Sequence, residues 1–145
     1  MNMPQPKPPN PDLGSGLPVI VRHVDQATID AYAAASGDFN PIHVDPDYAR
    51  TGPFGRTIAH GLMTLAYASE LLNQWTGGTF DDMGEMEVTF IGPVYAGDDV
   101  CVTGDVEEVV ERDGRPCLRI RLVVTAGDRS ILAGFAFHPI TNSGR

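Results

Sequence analysis

A chain of 145 residues with 42% hydrophobic and 20% charged residues can form one domain with its own core and is too short for two. Its net charge of −9 argues against nucleic acid and anionic membranes as partners, and no apolar run is long enough to span a bilayer. Cys101 and Cys117 are expected to be buried thiols, and the absence of a signal peptide predicts a cytoplasmic location. No cysteine–histidine cluster has metal-ligand spacing, so we expect no metal site.

The N-terminal region is rich in proline and predicts a flexible tail over residues 1–16. One domain is expected over 17–140, followed by a short C-terminal tail over 141–145. The domain opens with the apolar run LPVIVRH, residues 17–23, which predicts an edge strand.

Helices are predicted next along the chain. Asp25 is a suitable N-cap for a helix over 26–35, and Asp45 followed by a proline can start a helix of one to two turns. The stretch HGLMTLAYASELLNQW, residues 60–75, predicts one long helix. Because its apolar residues spread around much of its circumference, we expect this helix at the centre of the domain.

The second half of the chain has the period of β-strands. Strands are predicted over 86–90, 100–111, 116–126 and 131–138, with Asp113-Gly114 as a hairpin turn. The predicted fold is therefore α+β, with an antiparallel sheet wrapped around one long helix. Such a sheet leaves one side of the helix uncovered, so we expect a homodimer.

The segment SGDFNPIHVDPDYA, residues 36–49, combines acids, an amide and an imidazole with two prolines. Pro41 fixes its own φ and pushes Asn40 out of the helical region, so we expect a bent, rigid and non-helical segment. The carboxyl group of Asp38 and the imidazole of His43, directed into one cavity, can share proton transfers at neutral pH.

Two other interpretations of these residues stay open. Asp38 and Asn40 can form an Asx-turn, with His43 as an ordinary satisfied polar residue. A metal site made by Asp38, His43 and His60 has less support, because the spacing is not typical of catalytic zinc ligands.

Gly61 stands at the start of the long predicted helix. Its backbone N–H is free there, it has no side chain to block a ligand, and the helix dipole favours negative charge. This position suits a carbonyl oxygen that becomes an enolate. Gly61 can equally be a close-packing position, and Ser69 can be a small residue of a buried helix.

From about residue 32 to residue 72 the chain resembles the MaoC-like family of enoyl-thioester hydratases and dehydratases, in particular its (R)-specific enoyl-CoA hydratases. The resemblance lies in YAAASGDFNPIHVDPDYA and FGRTIAHGLM, and further on in GPVYAGD, residues 92–98. It implies a dimeric hot-dog fold and a hydro-lyase that acts on an acyl chain carried as a thioester.

By this resemblance Asp38 and His43 are the catalytic acid and histidine, and the backbone amide of Gly61 is the oxyanion donor. Two further residues match supporting positions of the family, Asn40 and Ser69. The implied reaction is reversible hydration of 2-enoyl-CoA to (R)-3-hydroxyacyl-CoA, with CoA as part of the substrate and no other cofactor. The chain departs from its close relatives at Thr57, where they often carry proline.

The acyl chain would need an apolar tunnel, which we expect between the central helix and the sheet. Its candidate lining residues, each equally suited to the core, are Tyr67, Leu71, Leu72, Met83 and Phe90. Arg56 can contact a CoA phosphate or remain solvated. The acidic charge of the chain favours free CoA thioesters over acidic acyl carrier proteins.

Other functions compete with this interpretation. The chain can be a dehydratase of carrier-bound, branched or dicarboxylic acyl thioesters, or a hot-dog thioesterase, although D-x-N-P-x-H is not what thioester hydrolysis requires. It can also be a non-catalytic acyl-thioester-binding subunit of a heterodimeric dehydratase. Release of free CoA would favour the thioesterase, and turnover by the protein alone would argue against the binding subunit.

Overall fold

The computed structural model describes Gly14 and residues 16–140, so the predicted tails lie outside the described residues except for Gly14 and Gly16. The elements in chain order are β1 Ile20–Val24, α1 Gln26–Ser36, α2 Pro41–Val44, α3 Pro46–Arg50, α4 Gly61–Thr76, α5 Phe80–Met83, β2 Glu85–Phe90, β3 Asp98–Arg112, β4 Arg115–Ala126 and β5 Arg129–Pro139. None of these helices is both long and apolar enough to cross a membrane.

The five strands form one antiparallel sheet in the order β1-β3-β4-β5-β2. Asp113 and Gly114, which join β3 to β4, both have positive φ angles of 52° and 75°, as a two-residue hairpin of type I′ requires. β1 begins at Ile20 instead of Leu17, because Pro18 has no N–H to donate to a strand ladder. The α+β class predicted from the sequence is confirmed.

Helix α4 packs on the inner face of the sheet. Its residues Ala68, Leu71 and Leu72 are fully buried in one apolar core with residues of every strand. Its opposite side is bare in the single chain, where Leu62 is 63% exposed and Ala66 is exposed as well. One side of α4 is therefore buried in the core and the other side is uncovered, as the sequence predicted.

The segment around Pro41 differs from the prediction. Asn40 does lie outside the helical region, with φ −53° and ψ 128°, as the following proline demands. Its side-chain oxygen accepts a hydrogen bond from the Ile42 N–H, however, and so caps the helical turn α2, in which proline occupies the first position. The expectation of a non-helical segment was wrong, because the restriction that proline imposes ends at the residue before it.

Candidate active site

The acid loop, residues 36–42, runs from the last residue of α1 into the first turn of α2, and around Asp38 it is held by hydrogen bonds between near neighbours. The Asp38 N–H donates to the Ser36 hydroxyl oxygen at 3.2 Å, and the Asn40 N–H donates to Asp38 Oδ1 at 3.1 Å. The Asx-turn interpretation is thus correct for these contacts. It does not account for the other carboxylate oxygen of Asp38, which takes no part in them.

His43 lies in α2 and its side chain is nearly buried. Its Nδ1 is 2.7 Å from the carbonyl oxygen of Ile58, and since a carbonyl can only accept, Nδ1 carries the proton. The lone pair of the neutral ring is therefore on Nε2, which lies 4.0 Å from Asp38 Oδ2. This distance is too long for a direct hydrogen bond, so the acid and the base face each other across a narrow gap.

A third polar side chain, His60, is buried beside this pair. Its Nε2 donates to the backbone carbonyl oxygen of Asp38 at 2.9 Å. Its ring stacks on the ring of His43, with the centroids 3.8 Å apart and the planes inclined by 25°. On another side it contacts the ring of Tyr32, at a centroid distance of 4.8 Å.

The ligand atoms of Asp38, His43 and His60 all lie within 4.8 Å of one another, so the metal interpretation can be tested on their geometry. A zinc ion must lie about 2.0–2.1 Å from each nitrogen, along lone pairs that point at it in the plane of each ring. The lone pairs of His43 and His60 lie in two ring planes that are inclined by only 25°, with the centroids 3.8 Å apart, so they cannot both point at one ion. The three residues therefore do not fit a shared metal ion in this arrangement.

Gly61 is the first residue of α4 and directly follows His60. As the first helical residue, it has an N–H with no acceptor inside the helix, and its backbone is exposed. A Cβ atom placed on Gly61 would lie 3.4 Å from the ring of Phe90. The free amide is thus at the same end of α4 as the stacked imidazoles, beside an aromatic ring that is about half exposed.

The side chains of Asn40 and Ser69, the two residues predicted to support the site, form no described hydrogen bond with the side chains of Asp38 and His43. Asn40 caps α2 and so supports His43 through the main chain. Ser69 is half-buried on α4, two turns beyond Gly61. Its hydroxyl has no hydrogen-bond partner within residues 16–140, whereas its carbonyl oxygen accepts a hydrogen bond from the Asn73 side chain. The structure therefore does not join Ser69 to the acid–imidazole pair.

Arg56 is exposed in the loop before α4, and its guanidinium lies over the ring of Tyr95, 3.6 Å from the centroid. Arg129 approaches the same ring at 4.8 Å and is bound by the carboxylate of Asp98. Burial alone would raise the pKa of Asp98, but the Tyr95 N–H and the Arg129 guanidinium together hold that pKa below its ordinary value. Arg56 forms no such ion pair with the described residues, although its charge also helps to lower the pKa of Asp98, and its guanidinium stays exposed beside Tyr95.

The predicted tunnel residues lie in different surroundings. Leu71 and Leu72 are fully buried in the core, whereas Phe90 is exposed beside Gly61. Met83 lines a cavity of about 160 Å³ next to the β3–β4 hairpin, together with residues of β2 to β5. The tunnel remains a prediction.

Sequence reasoning missed Gln26, which it treated only as the first residue of a helix. The Gln26 side chain donates to the carbonyl oxygen of His43 at 2.8 Å and accepts from the Thr57 hydroxyl at 2.6 Å. It also assigned His60 no role except as a metal ligand. The position of His60 directly before the helix-starting Gly61 was the signal that could have placed it in the site, whereas no local pattern marks Gln26.

Comparison with known proteins identifies the family of this site. Residues 15–127 match the model of the MaoC like domain. The (R)-specific enoyl-CoA hydratase of Aeromonas caviae is 39% identical over 90 residues, which are 62% of this chain and 66% of that protein. The 3-hydroxybutyryl-CoA dehydratase of Methylorubrum extorquens is 32% identical over 126 residues, 86% of this chain and 79% of that protein. Both relatives bear the names of hydro-lyases.

The solved structure of the (R)-hydratase from A. caviae involved in PHA biosynthesis superposes with a TM-score of 0.76 at 28% identity. The superposition covers 90% of this chain and 97% of that one, so the predicted hot-dog fold is confirmed. The chain therefore belongs to the MaoC-like family, as the motifs around Asp38, His43 and Gly61 predicted.

Proposed function

We propose that the protein catalyses the reversible hydration of 2-enoyl-CoA thioesters to (R)-3-hydroxyacyl-CoA. The observation that carries this proposal is the gap of 4.0 Å between His43 Nε2 and Asp38 Oδ2, with the other ring nitrogen held by Ile58. If the oxygen of a water molecule lay at an ordinary hydrogen-bond distance of about 2.8 Å from both atoms, the angle at that oxygen between Nε2 and Oδ2 would be roughly 90°. One water could therefore donate to both groups at once.

In the proposed reaction His43 Nε2 takes a proton from this water as the oxygen attacks C3 of the enoyl group. The Gly61 N–H stabilises the negative charge that develops on the thioester oxygen, helped by the dipole of α4. The proton is then returned to C2 from the same Asp38–His43 pair, so hydrogen and hydroxyl add to one face. The (R) configuration of the product is proposed from the names of the relatives.

The proposed chemistry uses only protein groups and water. We therefore propose that the protein needs no cofactor beyond the CoA of its substrate. The stacking of His43 on His60 supports this, because the two free lone pairs do not converge on one point. Activity that survives exhaustive dialysis against a chelator would agree with this proposal, and activity restored only by a divalent ion would contradict it.

Free CoA is the proposed carrier of the acyl chain. The exposed guanidinium of Arg56 on Tyr95, which forms no direct ion pair with the described residues, offers a cation for a phosphate group, and the charge of −9 is unfavourable for an acidic carrier protein. The cytoplasmic location expected from the sequence stays a prediction.

A homodimer is proposed from the exposed apolar residues near Gly61. Leu62 on α4 and Phe90 and Ile91 at the end of β2 are each about half exposed or more, and Phe90 lies against the Gly61 backbone. The patch is thus continuous across α4 and the end of an edge strand. A second copy of the chain is the proposed occupant, because a lone domain seldom leaves such a patch in water.

The test is the loss of enoyl absorbance when the purified protein is mixed with crotonyl-CoA, with a thiol reagent added to detect free CoA. Asp38→Asn and His43→Gln should each lower the rate by about 10²–10⁴-fold while the protein stays folded. Asp47→Asn, a change of the same kind at an exposed aspartate nearby, should have little effect.

The competing functions give different results. Release of free CoA would indicate a thioesterase. Absence of any reaction of the folded wild type with short and long enoyl-CoAs would refute the proposal, and carrier-bound or branched acyl thioesters would be tested next. Activity that appears only with a second subunit would indicate the heterodimeric dehydratase.

A further inference from the structure

We propose that His60 is the positioning residue of this site, and that it aligns Asp38, His43 and Gly61 with one another. The inference rests on the proposed function for its kinetic consequence, but its structural basis is independent of the substrate. It assigns His60 a role in geometry and no role in proton transfer.

The first contact of His60 acts on the acid. Its Nε2–H donates to the backbone carbonyl oxygen of Asp38, across 22 positions of sequence. At the far end of the acid loop the Ile42 carbonyl oxygen accepts from the Ile58 N–H at 3.1 Å, but the other hydrogen bonds around Asp38 are local and do not set the place of Asp38 relative to α4. The bond from His60 is the described hydrogen bond that ties the Asp38 main chain to the start of α4.

The second contact acts on the base. The bond between His43 Nδ1 and Ile58 fixes one point of the His43 ring but still allows the ring to tilt. The face of the His60 ring, inclined by 25° with its centroid 3.8 Å away, closes the space into which the His43 ring would tilt. The direction of the Nε2 lone pair toward Asp38 is therefore set by both contacts together.

The third contact is made through the main chain. The carbonyl oxygen of His60 accepts the first hydrogen bonds of α4, from the N–H groups of Met63 and Thr64. The next residue is Gly61, whose amide is the proposed oxyanion donor. A shift of His60 would thus move the acid, the base and the oxyanion donor together.

The buried Nδ1 of His60 shows why this histidine is not a second base. It has no hydrogen-bond partner within residues 16–140 and no contact with solvent. A proton placed there would be a buried, unpaired donor next to the ring of His43, which is costly. The His60 side chain is therefore not placed to take a proton from water or from a substrate.

Two substitutions separate the contacts of His60. His60→Gln keeps an N–H donor near the position of Nε2 and removes the ring, whereas His60→Phe keeps a flat ring and removes the donor. His23→Gln is the matched control, since His23 is an exposed histidine that bonds only the exposed Asp99 among the described residues.

For crotonyl-CoA hydration we expect kcat to fall by about 10–100-fold in both variants, because a misplacement of about 1 Å can cost that much. KM should change by less than about threefold, and His60→Gln should retain more kcat than His60→Phe. Unchanged kcat in both folded variants, with only a lower midpoint of urea unfolding, would show a purely structural role and overturn the proposal.

A second readout does not depend on turnover. ¹⁵N spectra of the histidine rings in the wild type should place the His43 proton on Nδ1 and the His60 proton on Nε2. In His60→Gln the Ile58 carbonyl should keep the proton on Nδ1, but the His43 ring signals should shift and broaden, because the ring can tilt once its neighbour is gone. Unaltered His43 signals would overturn the positioning role of His60, whether or not the protein hydrates enoyl-CoA. A wild type that hydrates no enoyl-CoA would refute the proposed function instead.

Discussion

Gln26 holds the main chain of His43, with its Nε2 donating to the His43 carbonyl oxygen at 2.8 Å. The same amide group accepts the hydroxyl proton of Thr57, so the first turn of α1 joins α2 to the loop before α4. Thr57 thus supplies a buried hydroxyl whose only described partner is the residue that supports the candidate base.

Replacing Thr57 with valine tests this link. Because Thr57 is buried, Thr57→Val leaves the Gln26 oxygen without its donor, and we expect the free energy of unfolding to fall by about 1–2 kcal/mol. Urea denaturation measures it. Thr125→Val is the control, since the Thr125 hydroxyl has no partner in the described part of the chain, and it should cost less than about 0.5 kcal/mol. Equal losses in the two variants would mean that the Gln26 bond contributes nothing.

Adding a methyl group to Gly61 should separate catalysis from folding. A Cβ atom there would lie 3.4 Å from the half-exposed ring of Phe90, which has room to move, and alanine favours a helix more than glycine. We expect Gly61→Ala to change the free energy of unfolding by less than about 1 kcal/mol. The hydration rate should fall by about 10²-fold or more, because the methyl group lies where the thioester oxygen would approach the amide. Alanine keeps the backbone N–H, so full activity of this variant would contradict a close approach of the thioester on the side of the added methyl group.

The stability of the fold should depend on pH through His138 in β5. Burial lowers the pKa of His138 below its ordinary value of 6.5, against the opposing effect of its hydrogen bond to the Pro139 carbonyl oxygen. As the pH falls through 6.5, the unfolded chain takes up the proton first, so the free energy of unfolding decreases until the pKa of the folded state is reached. Above pH 6.5 the contribution is fully present.

Urea midpoints measured on either side of pH 6.5 would test this dependence. His138→Phe, which keeps a ring next to Phe80, should make the decrease on acidification smaller, whereas His23→Gln should leave it unchanged. A decrease of the same size in the wild type and in His138→Phe would assign the effect to other groups.

The proposed homodimer can be broken at Leu62. A glutamate at this 63% exposed position would bury an unpaired charge in the interface, so Leu62→Glu should sediment as a monomer at concentrations at which the wild type is a dimer. Val109→Glu, at an exposed valine of β3 near the hairpin, should remain a dimer. Dimers in both variants would place the interface elsewhere.

The fold was predictable where local signals agree. Asp25 caps α1 through the Thr28 N–H, Gly37 ends it in the left-handed conformation, and Asp113-Gly114 makes the hairpin. The short helix α5 was not predicted, since Phe80–Met83 has too few residues for a periodic pattern.

The site was predictable only in part, because some of its contacts are local in sequence and others are not. Asp38 and His43 are five positions apart within one rigid segment, so their proximity follows from local geometry. The contacts of Gln26 and His60 join residues 17 to 31 positions apart, and they exist only after α1 and α4 have packed. No pattern of neighbouring residues encodes such contacts.

The acid loop has a consequence for how this scaffold can change. Its shape is specified by Ser36, Asp38 and Asn40, which bind the main chain only two residues away. The strands that would adapt to a longer or shorter acyl chain make none of these bonds. Sheet residues can therefore diverge while the Asp38 carboxylate keeps its position, so the proposed catalytic segment can be combined with many substrate preferences.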